Sequence, residues 1–145
     1  MAIPPIPASL TLEIVTPERA VAFVEVDEVE IPAEGGYLGV LPGHTPLIAS
    51  LQVGEMWYRK GVESSYLSLA FGFVEVQPDR VIVLAQVAER AEEIDAARAE
   101  AARRRAEDRL NRPPTAADGD LDRARLSMMR ALVRLQVASR AKTRA

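Results

Sequence analysis

A long run without glycine or proline is the feature that most constrains the fold of this chain. Residues 88–110 contain neither residue type and consist mainly of Ala, Glu and Arg, which favour helix. The preceding residues, 1–87, hold seven of the eight glycines and all seven aromatic side chains. The chain therefore divides into two segments, 1–87 and 88–145, that must fold differently.

Charge follows the same division. Residues 1–87 have four basic and eleven acidic side chains, whereas residues 88–145 have fourteen basic and ten acidic ones. From Arg123 onward there are seven basic residues and no acidic one. The formal net charge of −3 at pH 7 therefore averages two surfaces of opposite sign, which indicates different partners for the two segments.

The first segment has the pattern of short strands. Leu10, Leu12 and Ile14 alternate with other residues, which is the period of a half-buried strand. A change in the parity of the apolar positions predicts a β-bulge near residues 27–28. Turns rich in glycine and proline separate the runs, which predicts an antiparallel sandwich or barrel. The predicted strands are 10–15, 21–26, 29–31, 37–41, 47–53, 56–59, 66–69, 71–76 and 81–87.

The second segment predicts an antiparallel pair of helices. The first spans about 88–110, a loop with two prolines and a glycine occupies 111–120, and the second spans about 121–141. Helices rich in alanine bury little apolar area, so we expect the pair to dock weakly and to exchange its amide hydrogens faster than the strands.

Several functions are excluded by residues that the chain lacks. It has no cysteine and one histidine, His44, so a disulfide framework, a thiolate zinc site and a Ser-His-Asp triad are not expected. The N-terminus lacks the features of a secretory signal, and no apolar run is long enough to span a membrane. We predict a cytoplasmic, non-catalytic protein with no metal site. The basic C-terminus leaves a nucleic-acid binder as an alternative, although it has no aromatic residue. A free adaptor module is the other alternative.

Four sequence features together resemble one known family. They are the run LGVLPGHTPL at 38–47, GFVEV at 72–76, VLA at 83–85 and the alanine-rich helical pair. Over about residues 9–140 the chain resembles the epsilon subunit of bacterial F-type ATP synthase. The resemblance implies an α+β fold in which a ten-stranded antiparallel β-sandwich precedes a two-helix antiparallel hairpin.

The family's function gives a set of expectations for this chain. It would be a non-catalytic subunit of the central stalk, or rotor, at the cytoplasmic face of the cell membrane, without direct membrane insertion. Residues 1–87 would contact the gamma subunit and the c-subunit ring, while residues 88–145 would regulate the complex. The helices would extend towards the beta and alpha subunits and inhibit ATP hydrolysis. No nucleic acid and no required cofactor are implied; ATP is a possible regulatory ligand.

The resemblance also points to residues of the sandwich that contact the c-ring and the gamma subunit. They lie in a loop at the bottom of the sandwich and in a turn that we expect nearby. For His44 the alternative is an ordinary solvated turn residue. The candidates are Glu34, Gly35, Gly36, Tyr37, Pro42, Gly43 and His44.

A motif at 94–99, Ile-Asp-Ala-Ala-Arg-Ala, resembles the signature of epsilon subunits that bind ATP. Asp95, Arg98, Ala102 and Arg105 share one helix face, and arginine forks suit phosphate oxygens. The alternative is a solvated face with weak ion pairs. The candidate ATP-binding residues are Glu89, Ile94, Asp95, Arg98, Ala99, Arg105, Arg130 and Arg134.

The acid-free C-terminus supplies a last candidate set. In the family, basic residues of the extended helices meet an acidic segment of the beta subunit, and opposite charges steer such docking. The candidates here are Arg123, Arg125, Arg130 and Arg134.

Overall fold

The computed structural model describes residues 2–112 and 118–141. Eight strands come first, followed by a 3-10 turn at Ala91–Glu93 and two helices, α1 (Ala96–Asn111) and α2 (Asp118–Ala138). The strands are β1 (Leu10–Val15), β2 (Ala20–Val26), β3 (Glu28–Ala33), β4 (Gly36–Val40), β5 (Leu47–Leu51), β6 (Gly54–Lys60), β7 (Glu63–Gln77) and β8 (Arg80–Arg90).

Two long strands, β7 and β8, pass from one layer of the sandwich to the other. The part of β7 up to Leu69 pairs with β6, whereas the part from Gly72 onward pairs with β5. Strand β8 follows β7 along both parts. One layer is β2-β1-β8-β7-β5, and the other contains β4, β3, β6 and the remaining halves of β7 and β8. Counting these halves separately gives ten strands, in agreement with the predicted α+β sandwich.

One strand pair departs from the antiparallel arrangement that we predicted. β1 and β8 run parallel, from Thr11 opposite Arg80 to Val15 opposite Leu84. The predicted bulge at 27–28 is also wrong, because the chain leaves β2 there and enters β3 in the other layer. The parity change therefore marks a change of layer. The register shift lies instead between Ile14 and Val15, opposite β2.

The core lies between the two layers. Leu10, Leu12 and Ile14 of β1 are fully buried, as the alternating pattern predicts, and Val74 and Val76 of β7 belong to the same cluster. Each such side chain contributes about 1.5–3 kcal/mol when it leaves water. This core holds the sandwich without any contribution from the helices.

The first helix begins later than residue 88, where the composition placed it. Val87 and Ala88 still pair with β7, and β8 ends only at Arg90. Asp95 caps α1, which starts at Ala96. Helix propensity favours an earlier start, but the hydrogen bonds of a strand ladder outweigh a propensity difference of under about 1 kcal/mol per residue.

The helices pack as an antiparallel hairpin through small residues. Ala99 and Ala106 are buried on α1, as are Ala124 and Ala131 on α2, and on each helix the two alanines are two turns apart. Small side chains allow the two helices to approach closely. Helix α2 begins at Asp118, a turn earlier than the predicted 121, and of the predicted loop, residues 113–117 lie outside the described residues.

Candidate functional site

The hairpin lies on the outer face of the layer that contains β6, β7 and β8. A row of polar side chains crosses this face, because Glu55 is opposite Ser68 in the β6–β7 ladder and Ser68 is opposite Glu89 in the β7–β8 ladder. Their neighbours Met56 and Leu67 point the other way, into the core. The sandwich therefore presents two carboxylates, on either side of a buried serine, to the basic helix α2.

Arg134 of α2 pairs with one of these carboxylates. Its Nε and Nη2 atoms donate to the two carboxylate oxygens of Glu89 at 2.9 and 3.1 Å. About a quarter of each side chain remains exposed. A two-pronged pair of this kind is stronger than a single surface contact because it fixes both partners in one geometry.

Arg130 lies one turn before Arg134 on α2 and stacks on an aromatic ring. Its guanidinium carbon is 5.5 Å from the centre of the Phe71 ring, within the range of a cation–π contact. Phe71 has a φ of 56°, and it is the only non-glycine residue with a positive φ among the described residues. It stands where β7 passes between layers, so the bend that makes the sandwich also supports Arg130.

A small cavity remains beneath these arginines. It has a volume of about 110 Å³ and lies between α2 and the sheet. Its polar lining comes from Ser68, Glu89, Arg130 and Arg134, and its apolar lining includes Val87. Three of the predicted ATP-binding residues therefore meet at one cleft.

The remaining ATP-binding candidates belong to α1 and its start. Asp95 accepts a hydrogen bond from the backbone N–H of Arg98 at 3.0 Å, so its carboxylate caps the helix. Ile94 is half-buried and Ala99 is fully buried at the helix interface. Arg98 and Arg105 are exposed, and no hydrogen bond or ion pair joins their side chains to another described residue. Their guanidinium groups are therefore available to an anion.

Three further ion pairs stabilise the region around α1. Arg19, in the turn between β1 and β2, contacts Glu93 at 2.5 Å and holds the pKa of that carboxyl below its usual range. On α1, Arg103 binds both Glu100 and Glu107, and its hydrogen bonds lower the pKa of Glu100 to about 2. These pairs fix α1 and its start but do not reach the cleft.

The candidate contacts of the sandwich do not form one cluster. Glu34 and Gly35 form the turn before β4 and Gly36 and Tyr37 begin this strand, whereas Pro42, Gly43 and His44 follow its other end. Strand β4 has five residues, which separates the two turns by about 13 Å. The expectation that they lie near each other is therefore wrong, because an extended strand stands between them.

Local contacts fix each of these two turns. The side-chain amide of Gln52 donates to the carbonyl groups of Ala33 and Glu34. The N–H of Gly43 donates to the carbonyl of Pro78 at 2.7 Å. The Nδ1 atom of His44 lies 2.7 Å from the carbonyl oxygen of Thr45, so this ring bonds to its own turn.

The four arginines predicted to contact the beta subunit fall into two pairs. Arg123 and Arg125 are exposed, and among the described residues they have only long contacts, of 4.0 and 3.7 Å, with Asp120 and Asp122 on their own helix. Arg130 and Arg134 are engaged by the sandwich as described above. In the folded hairpin the first pair makes no ion pair with the described residues of the sandwich, whereas Arg130 is exposed but stacks on Phe71 and Arg134 is half-buried.

Comparison with known proteins identifies the family. The beta-sandwich domain of the ATP synthase delta/epsilon chain matches residues 9–91, and its long alpha-helix domain matches residues 92–139. The chain belongs to the ATP synthase delta/epsilon chain family. The resemblance drawn from the sequence is confirmed, and the chain is a non-catalytic member of that family.

Individual relatives cover nearly the whole chain. ATP synthase epsilon chain 1 of Syntrophotalea carbinolica is 52% identical over 131 residues, which are 90% of this chain and 94% of the relative. The epsilon chain of Bacillus velezensis is 45% identical over 130 residues, 90% of this chain and 97% of its own. The similarity therefore includes both the sandwich and the hairpin.

Solved structures share the fold at low sequence identity. A chain in the cryo-EM structure of the Euglena gracilis mitochondrial ATP synthase OSCP/F1/c-ring aligns with a TM-score of 0.81 at 19% identity, over 97% of this chain and 86% of that chain. A chain of the Tetrahymena thermophila central stalk/c-ring aligns with a TM-score of 0.59 at 16% identity, over 92% and 96%. The delta/epsilon fold is therefore shared across distant ATP synthases.

An exposed apolar surface of this delta/epsilon fold was missed from the sequence. Phe23, Ile48, Phe73 and Leu84 are exposed by 76, 74, 58 and 53% on the layer opposite the hairpin. Phe73 and Leu84 are direct neighbours in the β7–β8 ladder. The sequence did contain a signal for this surface, since strands with apolar residues on both faces are typical of sheets that are covered on both sides. We call these four residues the apolar face.

The described residues place limits on other kinds of site. None of their helices is long and apolar enough to cross a membrane. Among residues 2–112 and 118–141, no three His, Asp or Glu side chains are grouped as metal ligands.

Proposed function

We propose that this chain is a rotor subunit of the central stalk of an ATP synthase, which helps to couple proton flow to ATP synthesis and inhibits ATP hydrolysis through its helices. The observation that carries the proposal is the way the hairpin is attached. Arginines of α2 and of the turn after it bind the hairpin to the sandwich, while the sandwich has a complete core of its own. Such a hairpin can detach without unfolding the rest.

The sandwich supplies the proposed stalk contacts. The apolar face would lose its contact with water against the gamma subunit, and burying four large side chains favours association by several kcal/mol, from about 1.5–3 kcal/mol for each. The turns at either end of β4 would contact the gamma subunit and the c-ring. The chain would then sit at the cytoplasmic surface of the membrane without entering it.

Inhibition would use the arginines that detachment releases. In the folded hairpin Arg130 and Arg134 are occupied by Phe71 and Glu89. Once α2 leaves the sandwich, these two join the exposed Arg123 and Arg125 on one helix. Four arginines on an extended helix suit an acidic segment of the beta subunit, and such docking weakens with salt.

ATP would act on the folded hairpin as a regulatory ligand rather than as a required cofactor. Arg98 and Arg105 on α1 have free guanidinium groups, and Arg130 and Arg134 of α2 line the cleft beneath the same hairpin. Phosphates bound by arginines of both helices would link α1 to α2 and would hold the hairpin folded. Arg134 then has two competing acceptors, Glu89 and phosphate.

Truncation of the chain tests the inhibitory function. An ATP synthase assembled with a chain ending at Leu110 is expected to hydrolyse ATP faster than the complex with the full chain. The matched control is the full chain with Arg109→Gln, which removes an exposed charge from α1 and keeps α2. Equal rates for the truncated and full chains, with equal salt dependence, would contradict the proposal.

ATP binding is tested on the isolated chain. Millimolar ATP is expected to shift the NMR signals of Arg98 and Arg105 in the wild type, and Arg98→Gln should weaken binding. Arg104→Gln is the control, because Arg104 lies on another face of α1 and pairs with Glu100 at 3.3 Å. No signal change near Arg98 at millimolar ATP would contradict the ATP proposal while leaving the stalk proposal intact.

A further inference from the structure

A residue just after the end of α2 makes a contact that none of the candidate sets includes. Arg140 lies in a turn beyond Ala138, and its Nε atom is 3.4 Å from a carboxylate oxygen of Glu55 on β6. The same guanidinium stands 5.2 Å from the centre of the Tyr66 ring on β7. The end of the hairpin is therefore held by a carboxylate and an aromatic ring together.

Glu55 is unusual in its burial. Its side chain is only 11% exposed, against 46% for Arg140. Among the described residues Arg140 is its ion-pair partner. Burying a carboxylate without a cation costs free energy, because the carboxylate loses its hydration and no ion pair replaces it. The folded hairpin therefore depends on Arg140, whereas a detached hairpin returns Glu55 to water.

We propose that Glu55, Tyr66 and Arg140 form a clamp that keeps the hairpin folded without nucleotide. Arg140 does not line the cleft, and it follows Arg134 by more than a turn of helix. Phosphate binding at Arg98, Arg105 or Arg134 leaves its contacts in place. Two separate sets of contacts therefore attach the hairpin to the sandwich. Nucleotide strengthens the set at the cleft, and the clamp keeps the hairpin folded when no nucleotide is bound.

The burial of the two charges predicts an asymmetry between variants. Arg140→Gln leaves a covered carboxylate unpaired, whereas Glu55→Gln leaves an arginine that still reaches water. The first substitution is expected to loosen the hairpin more than the second. In the double variant no buried charge remains unpaired, so the hairpin should be no looser than with Arg140→Gln alone.

Hydrogen exchange of the full, isolated chain measures this directly. In buffer without nucleotide, Arg140→Gln is expected to raise the exchange rate of the second half of α2 about three- to tenfold. Glu55→Gln should raise it less, and Arg140→Lys should fall between wild type and Arg140→Gln. The strands should keep wild-type protection, which shows that the sandwich is intact. The single tryptophan, Trp57, provides a second readout by fluorescence, since it is opposite Tyr66 in the β6–β7 ladder.

The matched control is Arg125→Gln, which removes an exposed arginine of α2 that pairs only with Asp122 among the described residues. The same rates are then measured with millimolar ATP. The clamp proposal is contradicted if α2 exchanges its amide hydrogens at the same rate in Arg140→Gln as in Arg125→Gln. It is also contradicted if the effects of Glu55→Gln and Arg140→Gln on this rate simply add in the double variant. Its independence from nucleotide is overturned if ATP abolishes the difference between Arg140→Gln and wild type. A chain that fails to bind ATP still tests the clamp, so the two proposals fail separately.

Discussion

Arg134 of α2 and Glu89 of β8 join the two segments of the chain through two hydrogen bonds of 2.9 and 3.1 Å. The pair lies at the edge of the cleft that Arg130 also lines. The pair therefore links the folding of the hairpin to the occupancy of the proposed ATP site. Substitution of Arg134 and substitution of Glu89 are expected to change the response of the hairpin to ATP in different ways.

Arg134→Gln and Glu89→Gln should both loosen the hairpin in the absence of ATP. A partly exposed, two-pronged pair contributes about 1 kcal/mol. With ATP the two variants should differ, because Glu89→Gln leaves Arg134 free for phosphate, whereas Arg134→Gln removes the proposed phosphate ligand. Hydrogen exchange of α2 with and without millimolar ATP distinguishes them.

Arg123→Gln is the control for this experiment, since Arg123 is exposed and lies 4.0 Å from Asp120. ATP should restore the protection of α2 in Glu89→Gln and not in Arg134→Gln. If ATP protects both variants equally, Arg134 is not a phosphate ligand.

Asp95 caps α1 and is also a proposed ATP ligand, and one pair of variants separates these two functions. Asp95→Ala removes the cap of α1 and should cost about 1 kcal/mol of helix stability. Asp95→Asn keeps a capping oxygen and loses only the charge, so α1 should stay intact. Amide exchange in the first turn of α1 measures the cap, and calorimetric titration measures ATP binding.

The comparison of these two variants gives a direct answer. If the carboxylate itself receives a hydrogen bond from ATP, Asp95→Asn should bind more weakly while its helix is unchanged. Wild-type affinity in Asp95→Asn together with loss in Asp95→Ala would limit Asp95 to capping.

The strands could be predicted because their information is local. Leu10, Leu12 and Ile14 alternate along the chain, and the structure buries all three. The start of α1 could not be predicted in this way, since Ala88 and its neighbours favour helix and are held in β8 by β7, whose paired residues lie about 20 positions earlier in the chain. Local propensity is a weak preference that such a ladder overrides.

The candidate site was predictable only in part for a similar reason. Spacing along one helix places Asp95, Arg98 and Arg105 on one face, but no local pattern pairs Arg134 with Glu89 or Arg140 with Glu55. These contacts depend on how α2 lies on the sheet. The positive φ of Phe71, which supports Arg130, likewise results from the bend of β7 between layers.

Gly72 is required by the bend of β7. It has a φ of +122°, and a Cβ at this position would overlap the backbone carbonyl oxygen of Leu84 on the neighbouring strand. Gly72→Ala is therefore expected to lower the free energy of unfolding by about 2–4 kcal/mol. Urea denaturation followed by Trp57 fluorescence measures the change.

Gly35→Ala is the matched control for Gly72→Ala. Gly35 lies in the turn before β4, and a Cβ added there would meet no atom within 4 Å, so alanine should be tolerated. Similar stabilities for the two alanine variants would show that the bend does not need glycine.

The pair between Arg19 and Glu93 makes stability depend on pH. Hydrogen bonds from Arg19 lower the pKa of Glu93 in the folded chain below the value of about 4.3 in the unfolded chain. The unfolded state therefore binds the proton more readily, so this stabilisation is present above about pH 4.3 and is lost as pH falls through the folded pKa. Both side chains are more than a third exposed, so solvent screens the effect and it is modest.

Urea denaturation of wild type and Arg19→Gln from pH 7 to pH 2 tests this dependence. The wild type should be more stable at neutral pH, and the difference should shrink as Glu93 becomes protonated. Arg80→Gln, which removes an arginine from the start of β8, should show no such convergence. A stability difference for Arg19→Gln that stays constant to pH 2 would rule out the pair as its cause.

The apolar face predicts how the chain attaches to the stalk. Phe73 is 58% exposed and adjoins Leu84, so Phe73→Ser removes a large apolar contact from the surface without opening the core. Binding to an ATP synthase complex depleted of this chain should weaken about tenfold or more, as expected when a central aromatic residue is removed from an interface. Val62→Ser is the control, since Val62 is 99% exposed in the turn between β6 and β7, away from this face. Surface plasmon resonance with the depleted complex gives both affinities, and equal affinities would place the stalk contact on another surface of the sandwich.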